Sequence, residues 1–356
     1  VDQWYRMNKA KNLAQFTEAM EMVAIPSFNT VYADREGNIF YIYNGRFPKR
    51  DEAFDWQDYL PGDTSAVVWN EFLSLSDIPQ VLNPPSGFVQ TCNHTPFMSS
   101  GEGDNPDPAL FSSTMGIETH KTNRSLRAQE IFTNNSSMTF DEFLKVKFDL
   151  SYSPQSKHVQ LIEKLVAEVK SDDPLVNGAL KLMGSWDHRM NIDNRQAAVS
   201  ILTLMEFDSY LWRDLDMHPD EELETKVRKS ADFLMKHYGR LDVTWGEVQR
   251  LVRGKENLPI AGGPDVLRAV YSRSDEKGRK VAVAGDSYIL AVRWDKEGNM
   301  TSFSGHPFGS ATVDQSSPHF DDQSPLFARQ ELKPVWLELD EIKSNLERAY
   351  RPGEEK

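Results

Sequence analysis

The spacing of apolar and polar residues near the start of the chain predicts a helix followed by a β-hairpin. Apolar residues recur there at intervals of three and four, the spacing of one helix face: Leu13, Phe16, Met20 and Val23. We therefore expect an amphipathic helix over residues 7–24, ended by Pro26. Residues 29–33 and 39–43 are strand-like and flank a polar turn, which is typical of a hairpin.

Helical spacing dominates the middle of the chain, and strand patterns return after it. Thr139 and Glu142 form a capping box that opens a helix through about Asp149. Further helices are predicted over residues 158–169, 175–182, 195–210, 221–237 and 245–252. Short strands are predicted over residues 280–284, 287–294 and 300–304. We expect an α+β protein with three regions: 1–135 with part of a sheet core, 136–255 helical, and 256–356 with returning strands and a tail.

Composition indicates a globular chain and argues against two classes of partner. The 356 residues are 39% hydrophobic and 26% charged, enough to bury one large or two ordinary domains. The chain has 54 acidic and 40 basic residues, so its formal charge is -14. We therefore expect no nucleic-acid or anionic-membrane partner. No apolar run approaches the ~20 residues of a membrane span. Cys92 is the single cysteine, so an internal disulfide is excluded.

The first candidate for chemistry is Asn93, in the stretch of residues 83–96. This stretch opens with an Asn-Pro turn, passes through Phe88 and Val89, and closes at Pro96, so we predict a short strand with Asn93 where it ends. A fixed side-chain amide can donate a hydrogen bond to an oxygen that becomes negative during acyl transfer. The pattern also fits an ordinary turn asparagine or a glycosylation sequon.

Two further segments carry candidate residues. Arg124 lies at the start of a predicted helix, where it could bind a carboxylate or orient an amide, or form only a surface salt bridge. Residues 98–108 are rich in glycine and oxygen ligands, which is compatible with Ca²⁺ or with a solvated turn. The aromatic-rich residues 46–82 could line an apolar pocket or anchor a long loop.

Several motifs, in one order along nearly the whole chain, carry a family resemblance. Residues 83–96 read N-P-x-S-G-[FY]-x4-N-x-[ST]-P, and the further matching segments are residues 32–39, 44–48, 60–62, Trp69, 261–265, 285–288 and 316–323. Together they resemble the penicillin amidase family of N-terminal-nucleophile hydrolases. Some motifs look closer to the acyl-homoserine-lactone and aculeacin-type acylases of that family than to penicillin G acylase.

The resemblance implies a fold and roles for particular residues. The fold would be part of the αββα sandwich of these hydrolases, with an inserted helical segment. Asn93 matches the asparagine of the oxyanion hole, and Arg124 stands where the family keeps an arginine near its catalytic centre. Asp107 is a candidate ligand for the structural Ca²⁺ of the family, and no cofactor is expected for catalysis.

The resemblance also implies what the rest of the enzyme supplies. The family nucleophile is the α-amino-bearing serine that begins the mature β chain, whereas residue 1 here is Val. The chain resembles the C-terminal part of a β chain, so we expect partners in an α chain and the remaining β-chain segment. The expected activity is hydrolysis of a linear amide in an N-acylated small molecule, with the segment inactive alone. Relatives are periplasmic and mature by autocatalytic cleavage.

Three other interpretations compete with this one. A non-catalytic module could bind a ligand, such as a sugar, through the aromatic side chains of residues 46–72, and the family fold could also persist as an inactive structural subunit. A metallohydrolase would need a cluster of His and Asp residues. Asp187, His188 and Asp193 lie close together, but their spacing fits no defined ligand set.

Overall fold

The computed structural model describes residues 1–135, 137–207, 223–351 and 353–354. Its first sheet contains the predicted hairpin, β1 (Ser27–Ala33) and β2 (Ile39–Gly45), paired antiparallel. A third strand, β3 (Gln80–Leu82), pairs antiparallel with β2. The hairpin prediction is therefore confirmed, and β2 is the central strand of this sheet.

The single helix predicted over residues 7–24 is wrong, because two helices occupy the region. These are α1 (Asp2–Lys9) and α2 (Leu13–Met20). Asn12 separates them: its backbone is extended, and its side-chain oxygen accepts the backbone N–H of Gln15 at 2.9 Å. An asparagine that satisfies a free N–H in this way starts a new helix.

Seven helices follow between residues 123 and 248 of the described chain. They are α3 (Asn123–Thr133), α4 (Phe140–Lys147), α5 (Lys157–Glu168), α6 (Pro174–Met183), α7 (Ala197–Leu204), α8 (Leu223–Tyr238) and α9 (Trp245–Val248). The predicted capping box of Thr139 and Glu142 is present at the start of α4. Apolar faces of α5 to α8 pack into one core that includes Leu165, Val176, Ile201 and Leu234. Parts of the helices predicted over 195–210 and 221–237 lie outside the described residues.

The last part of the described chain contains two sheets. One has the order β5-β4-β7-β6, from β4 (Gln249–Arg253), β5 (Glu256–Pro259), β6 (Val270–Ser274) and β7 (Lys280–Gly285). The other has the order β10-β9-β8, from β8 (Ile289–Trp294), β9 (Met300–Gly305) and β10 (Lys333–Pro334). Two short helices complete this part, α10 (Ser324–Ala328) and α11 (Leu339–Ser344).

Two of the predicted elements have the wrong type. The helix predicted over residues 245–252 ends at Val248, because the following residues pair with β5 on one side and β7 on the other. The strand predicted within residues 83–96 is absent. Asn83 and Gly87 both have positive φ, at 48° and 75°, and the backbone N–H of Gln90 bonds to Ser99 at 2.8 Å instead of to a strand partner. Asn93 therefore lies in an irregular loop.

The predicted α+β class is confirmed, with mixed helices and sheets throughout the described residues. Helices dominate between α3 and α9, while paired strands lie before and after them, although the three predicted regions themselves stay a prediction. None of the described helices is long and apolar enough to cross a membrane.

We predict that Leu165→Ala destabilises the protein by about 3 kcal/mol, because it empties space in a close-packed core. Leu165 is fully buried, whereas the matched control Leu110 is 78% exposed. The measurement is urea unfolding followed by circular dichroism, and Leu110→Ala should stay within about 0.5 kcal/mol of wild type. Equal effects of the two substitutions would contradict this packing.

Candidate active site

The loop around Asn93 is held by hydrogen bonds to its backbone. Asn93 has φ 58°, a left-handed conformation that asparagine tolerates better than most residues. Its carbonyl oxygen lies 2.8 Å from His120 Nε2, and the His120 carbonyl accepts the N–H of Thr95 at 2.9 Å. The Thr122 hydroxyl donates to the Cys92 carbonyl at 3.0 Å. The backbone on both sides of Asn93 is thus tied to the segment that leads into α3.

A buried neutral imidazole fixes the same loop from inside. His94 Nδ1 accepts the Cys92 N–H at 3.0 Å, so Nε2 carries the proton and donates to the Met98 carbonyl at 3.0 Å. Burial disfavours the charged ring and lowers the pKa of His94 to about 4. The ring therefore remains neutral near pH 7, with both nitrogens used to hold the loop.

Arg124 forms a hydrogen bond with the side chain of Asn93. Arg124 Nη2 donates to Asn93 Oδ1 at 3.1 Å. This bond assigns the oxygen of the amide to the arginine and leaves Nδ2 as the free donor. Within the described residues nothing accepts a hydrogen bond from Nδ2, and Asn93 is exposed. The amide N–H is thus available to an oxygen of a bound molecule.

Arg124 in turn is held by a carboxylate. It is the second residue of α3, after Asn123 and the capping residue Thr122. Arg124 Nε donates to Asp265 Oδ1 at 3.0 Å. Burial is the largest single influence and opposes the charged guanidinium, but the Asp265 carboxylate, together with smaller contributions from Tyr271 and Cys92, raises the pKa of Arg124 overall. Arg124 therefore stays a fixed cation beside Asn93.

Asp265 completes the arrangement from a distant part of the chain. It is 3% exposed, and its second oxygen accepts the backbone N–H of Asn123 at 2.6 Å, at the start of α3. The Asn123 side chain donates back to the Asp265 carbonyl at 2.8 Å. Negative charge is favoured at a helix N-terminus, where backbone N–H groups lack helical partners. One carboxylate thus fixes both the helix start and the arginine.

Sequence reasoning gave Asp265 no role beyond membership of the motif over residues 261–265. The motif held a usable signal in Gly262, which has φ 96° and whose Cβ, if present, would lie 2.3 Å from the Arg268 carbonyl. A glycine that permits such close backbone approach indicates a tightly built segment. The Tyr152 hydroxyl, which donates to the Pro264 carbonyl, fixes this segment further.

These residues supply hydrogen-bond donors and positive charge, but no nucleophile. Cys92 adjoins Asn93 in the chain, yet burial raises the pKa of its thiol to about 11. Since the thiolate is the nucleophilic form, Cys92 is unreactive near pH 7. The geometry is therefore suited to stabilising negative charge on a substrate oxygen.

The structure places Asp107 away from this network, on an exposed turn. Its carboxylate accepts the N–H of Ala109 at 3.0 Å and caps a short 3₁₀ turn. Neighbouring oxygen ligands are engaged as well, since Asp104 accepts the Ser86 N–H at 2.8 Å. Among the residues described, no group of three or more His, Cys, Asp or Glu side chains could hold a metal ion. Calcium ligation by Asp107 stays a prediction.

Three of the aromatic residues between β2 and β3 pack on arginines. The Arg50 guanidinium lies 5.3 Å from the Trp56 ring centroid and 5.2 Å from that of Trp69, and it donates to the Thr114 carbonyl at 2.7 Å. The guanidinium of Arg46 lies 4.2 Å from the Phe72 centroid. Such cation–π contacts favour an anchoring role for Trp56 and Phe72, whereas Trp69 and Tyr59 remain exposed.

The chain belongs to the penicillin amidase family, since the sequence profile described as "Penicillin amidase" matches residues 1–344. It is 23% identical over 391 residues to the acyl-homoserine lactone acylase PvdQ of Pseudomonas fluorescens (strain Pf0-1), covering 97% of this chain and 49% of the relative. It is 33% identical over 113 residues to the penicillin G acylase of Escherichia coli, covering 32% of this chain and 12% of the relative.

The fold is similar to that of a solved penicillin G acylase. The thermostable enzyme from Alcaligenes faecalis matches with a TM-score of 0.60 at 17% identity, over 98% of this chain and 71% of that chain. This similarity confirms the predicted N-terminal-nucleophile hydrolase fold. The chain spans about half the length of the curated acyl-homoserine lactone acylases it matches.

We predict that His94 makes the protein less stable as pH falls from about 6.5 to about 4. The pKa of His94 in the folded state, about 4, lies below its value in the unfolded state. Between these two values the unfolded state binds a proton that the folded state does not bind, so the free energy of unfolding declines as the pH falls. By pH 4.5 His94 should contribute about 2 kcal/mol of this decline. Urea unfolding at pH 7 and pH 4.5 measures the loss, and His94→Asn should reduce it.

His319→Gln is the control for this experiment. Hydrogen bonds to Asp322 and Glu347 raise the pKa of His319, the opposite direction, so this substitution should not reduce the acid-induced loss. A decline between the two pH values that is the same in His94→Asn and wild type would show that His94 is not its source.

Proposed function

We propose that this chain belongs to an amidohydrolase that cleaves a linear N-acyl bond, and that Asn93 donates a hydrogen bond to the oxyanion. One observation carries the proposal: Arg124 binds Asn93 Oδ1, so the amide N–H group is left for a substrate. An exposed donor held by a fixed cation is the arrangement that stabilises charge developing on a carbonyl oxygen.

In the proposed reaction, an N-terminal serine from the remaining part of the β chain attacks the acyl carbon. A C–O bond forms, the carbonyl electron pair moves onto oxygen, and the serine proton passes through water to the α-amino group. Asn93 Nδ2 stabilises this oxyanion. Collapse of the intermediate breaks the C–N bond, and the leaving amine takes the proton. Water then hydrolyses the acyl-serine ester in the same way.

Arg124 and Asp265 are proposed to act through Asn93. Arg124 holds the amide oxygen, which prevents the side chain from rotating its oxygen toward the anion. Its positive charge also lies close to the developing negative charge. Asp265 holds Arg124 through its Nε and anchors the start of α3, so that the donor is in place before substrate binds.

The proposed substrate is an N-acyl-homoserine lactone. The support is the name of several relatives, acyl-homoserine lactone acylase, and the chain's match to them over nearly its whole length. The proposal includes an α chain and further β-chain residues as partners, autocatalytic maturation from a zymogen, a periplasmic location and a structural Ca²⁺ near Asp107.

The competing readings have less support. An inactive subunit has no need of an arginine and a buried carboxylate that together orient an exposed amide. A sugar-binding module would present several free aromatic faces, whereas Trp56 and Trp69 both pack on Arg50, which leaves Tyr59 as a fully exposed ring. A metallohydrolase would need a ligand cluster, and none is present among the described residues.

We predict that Asn93→Ala lowers kcat by ~10²-fold or more, because the oxyanion loses a donor. The full-length gene product is purified, its mature N-terminus is sequenced, and hydrolysis of a long-chain N-acyl-homoserine lactone and of a phenylacetyl amide is measured. Asn105→Ala, in the loop that follows, is the control and should retain activity. A mature chain starting at Ser with undiminished activity in Asn93→Ala would exclude Asn93 as the donor.

We also predict that Asp265→Asn lowers kcat about tenfold with little change in KM, because a misplaced donor affects the transition state more than substrate binding. Asp149→Asn is a matched control: it breaks another partly buried ion pair, with Arg127 at 3.1 Å, outside the Asn93 loop. Both variants should lose comparable stability, but only Asp265→Asn should lose kcat. If both variants lost kcat equally, Asp265 would affect activity only through the stability of the protein and would not position Asn93.

A further inference from the structure

A groove of about 610 Å³ lies between α4 and the sheet of β8 and β9. It shares no residue with the Asn93 network, by which we mean Asn93, Asn123, Arg124 and Asp265. Its apolar surface comes from both elements and from the segment after α10: Phe140, Leu144, Phe148, Phe303 and Leu332. The rings of Phe140 and Phe303 lie 5.9 Å apart between centroids. A concave site of this size is in the range of small-molecule sites, about 300–1,000 Å³.

The polar part of this groove is cationic. Lys145, Arg293 and Arg329 line it against one carboxylate, Asp141, in a chain whose net charge is -14. Arg329 is engaged with Glu331 through two bonds of 2.9 Å, which offsets part of its charge. Neither Lys145 nor Arg293 has an ion pair among the described residues. Positive charge therefore remains available at the groove.

Arg293 is held in position without being neutralised. Its Nε donates to the Thr301 hydroxyl at 2.8 Å, and the guanidinium lies 4.9 Å from the Phe140 centroid. These contacts use one donor and one face of the group, and the two terminal nitrogens have no hydrogen-bond partner among the described side chains and backbone. A planar cation fixed in this way is suited to a carboxylate, which it can bind through two parallel hydrogen bonds.

We propose that this groove binds a small anionic amphiphile, with a carboxylate at Arg293 and Lys145 and an apolar chain against the Phe140 and Phe303 rings. The apolar surface alone would accept many molecules, but the excess of cations selects a negative headgroup. The acid released by an N-acyl amidohydrolase is of this chemical class. The proposal nevertheless stands without that reaction, because no residue is shared and the test measures binding alone.

Isothermal titration of the purified protein with octanoate, octanol and octylammonium tests the charge preference. Octanoate should bind about fivefold more tightly than octanol, as expected for one exposed charged contact, and octylammonium should bind most weakly. Added salt should weaken octanoate binding by screening. Equal affinity for octanoate and octanol, or no binding of any of the three, would overturn the proposal.

Two variants and a control locate the site. Arg293→Gln should weaken octanoate binding about fivefold and leave octanol binding unchanged, whereas Phe303→Ala should weaken both about tenfold. Arg273, an exposed strand arginine outside the groove, is the matched control, and Arg273→Gln should bind octanoate like wild type. Arg293 is exposed, so its loss should not prevent folding. Unchanged octanoate affinity in Arg293→Gln would show that the groove is not the site.

Discussion

The buried carboxylate of Asp265 is the constraint on which the geometry around Asn93 depends. A negative charge with 3% exposure is tolerated only when it is paired and hydrogen-bonded, and here a guanidinium and a helix N-terminus satisfy it. The same bonds fix the start of α3 and the direction of Arg124. Through Arg124 they decide which atom of the Asn93 amide is offered to a bound molecule.

A second ion pair joins the helical part of the chain to the later strands. Lys147, in the last turn of α4, donates to both oxygens of Asp286 at 2.8 and 2.9 Å. Arg268 is fully buried nearby, where desolvation lowers its pKa to about 10, and it donates to the Phe327 carbonyl. A motif that marks the family, Gly285-Asp286-Ser287-Tyr288, thus contributes a contact between helix and sheet, and nothing in its geometry indicates chemistry.

The site around Asn93 and the groove beside α4 differ in how much of their positive charge is neutralised. In the Asn93 network Arg124 is compensated by Asp265, so only a neutral amide is free to contact a ligand. In the groove beside α4, Arg329 is paired with Glu331, but Lys145 and Arg293 have no ion pair among the described residues. A preorganised neutral donor suits charge that appears only during a reaction, whereas uncompensated cations suit a ligand that is already charged.

The sequence by itself determined the elements whose signals are local. The β1–β2 hairpin, the Thr139 capping box and most helices follow from periodicity and turn residues, since these depend on neighbours a few positions away. The motifs indicated the family, and through it Asn93 and Arg124.

Tertiary structure decided the elements and contacts that depend on distant residues. Residues 249–253 became a strand because β5 and β7 offer partners. Residues 83–96 became a loop because Asn83 and Gly87 have positive φ and the Gln90 N–H bonds to Ser99, outside any sheet. Asp265 lies 142 residues from Asn123, a separation that no local pattern can bridge.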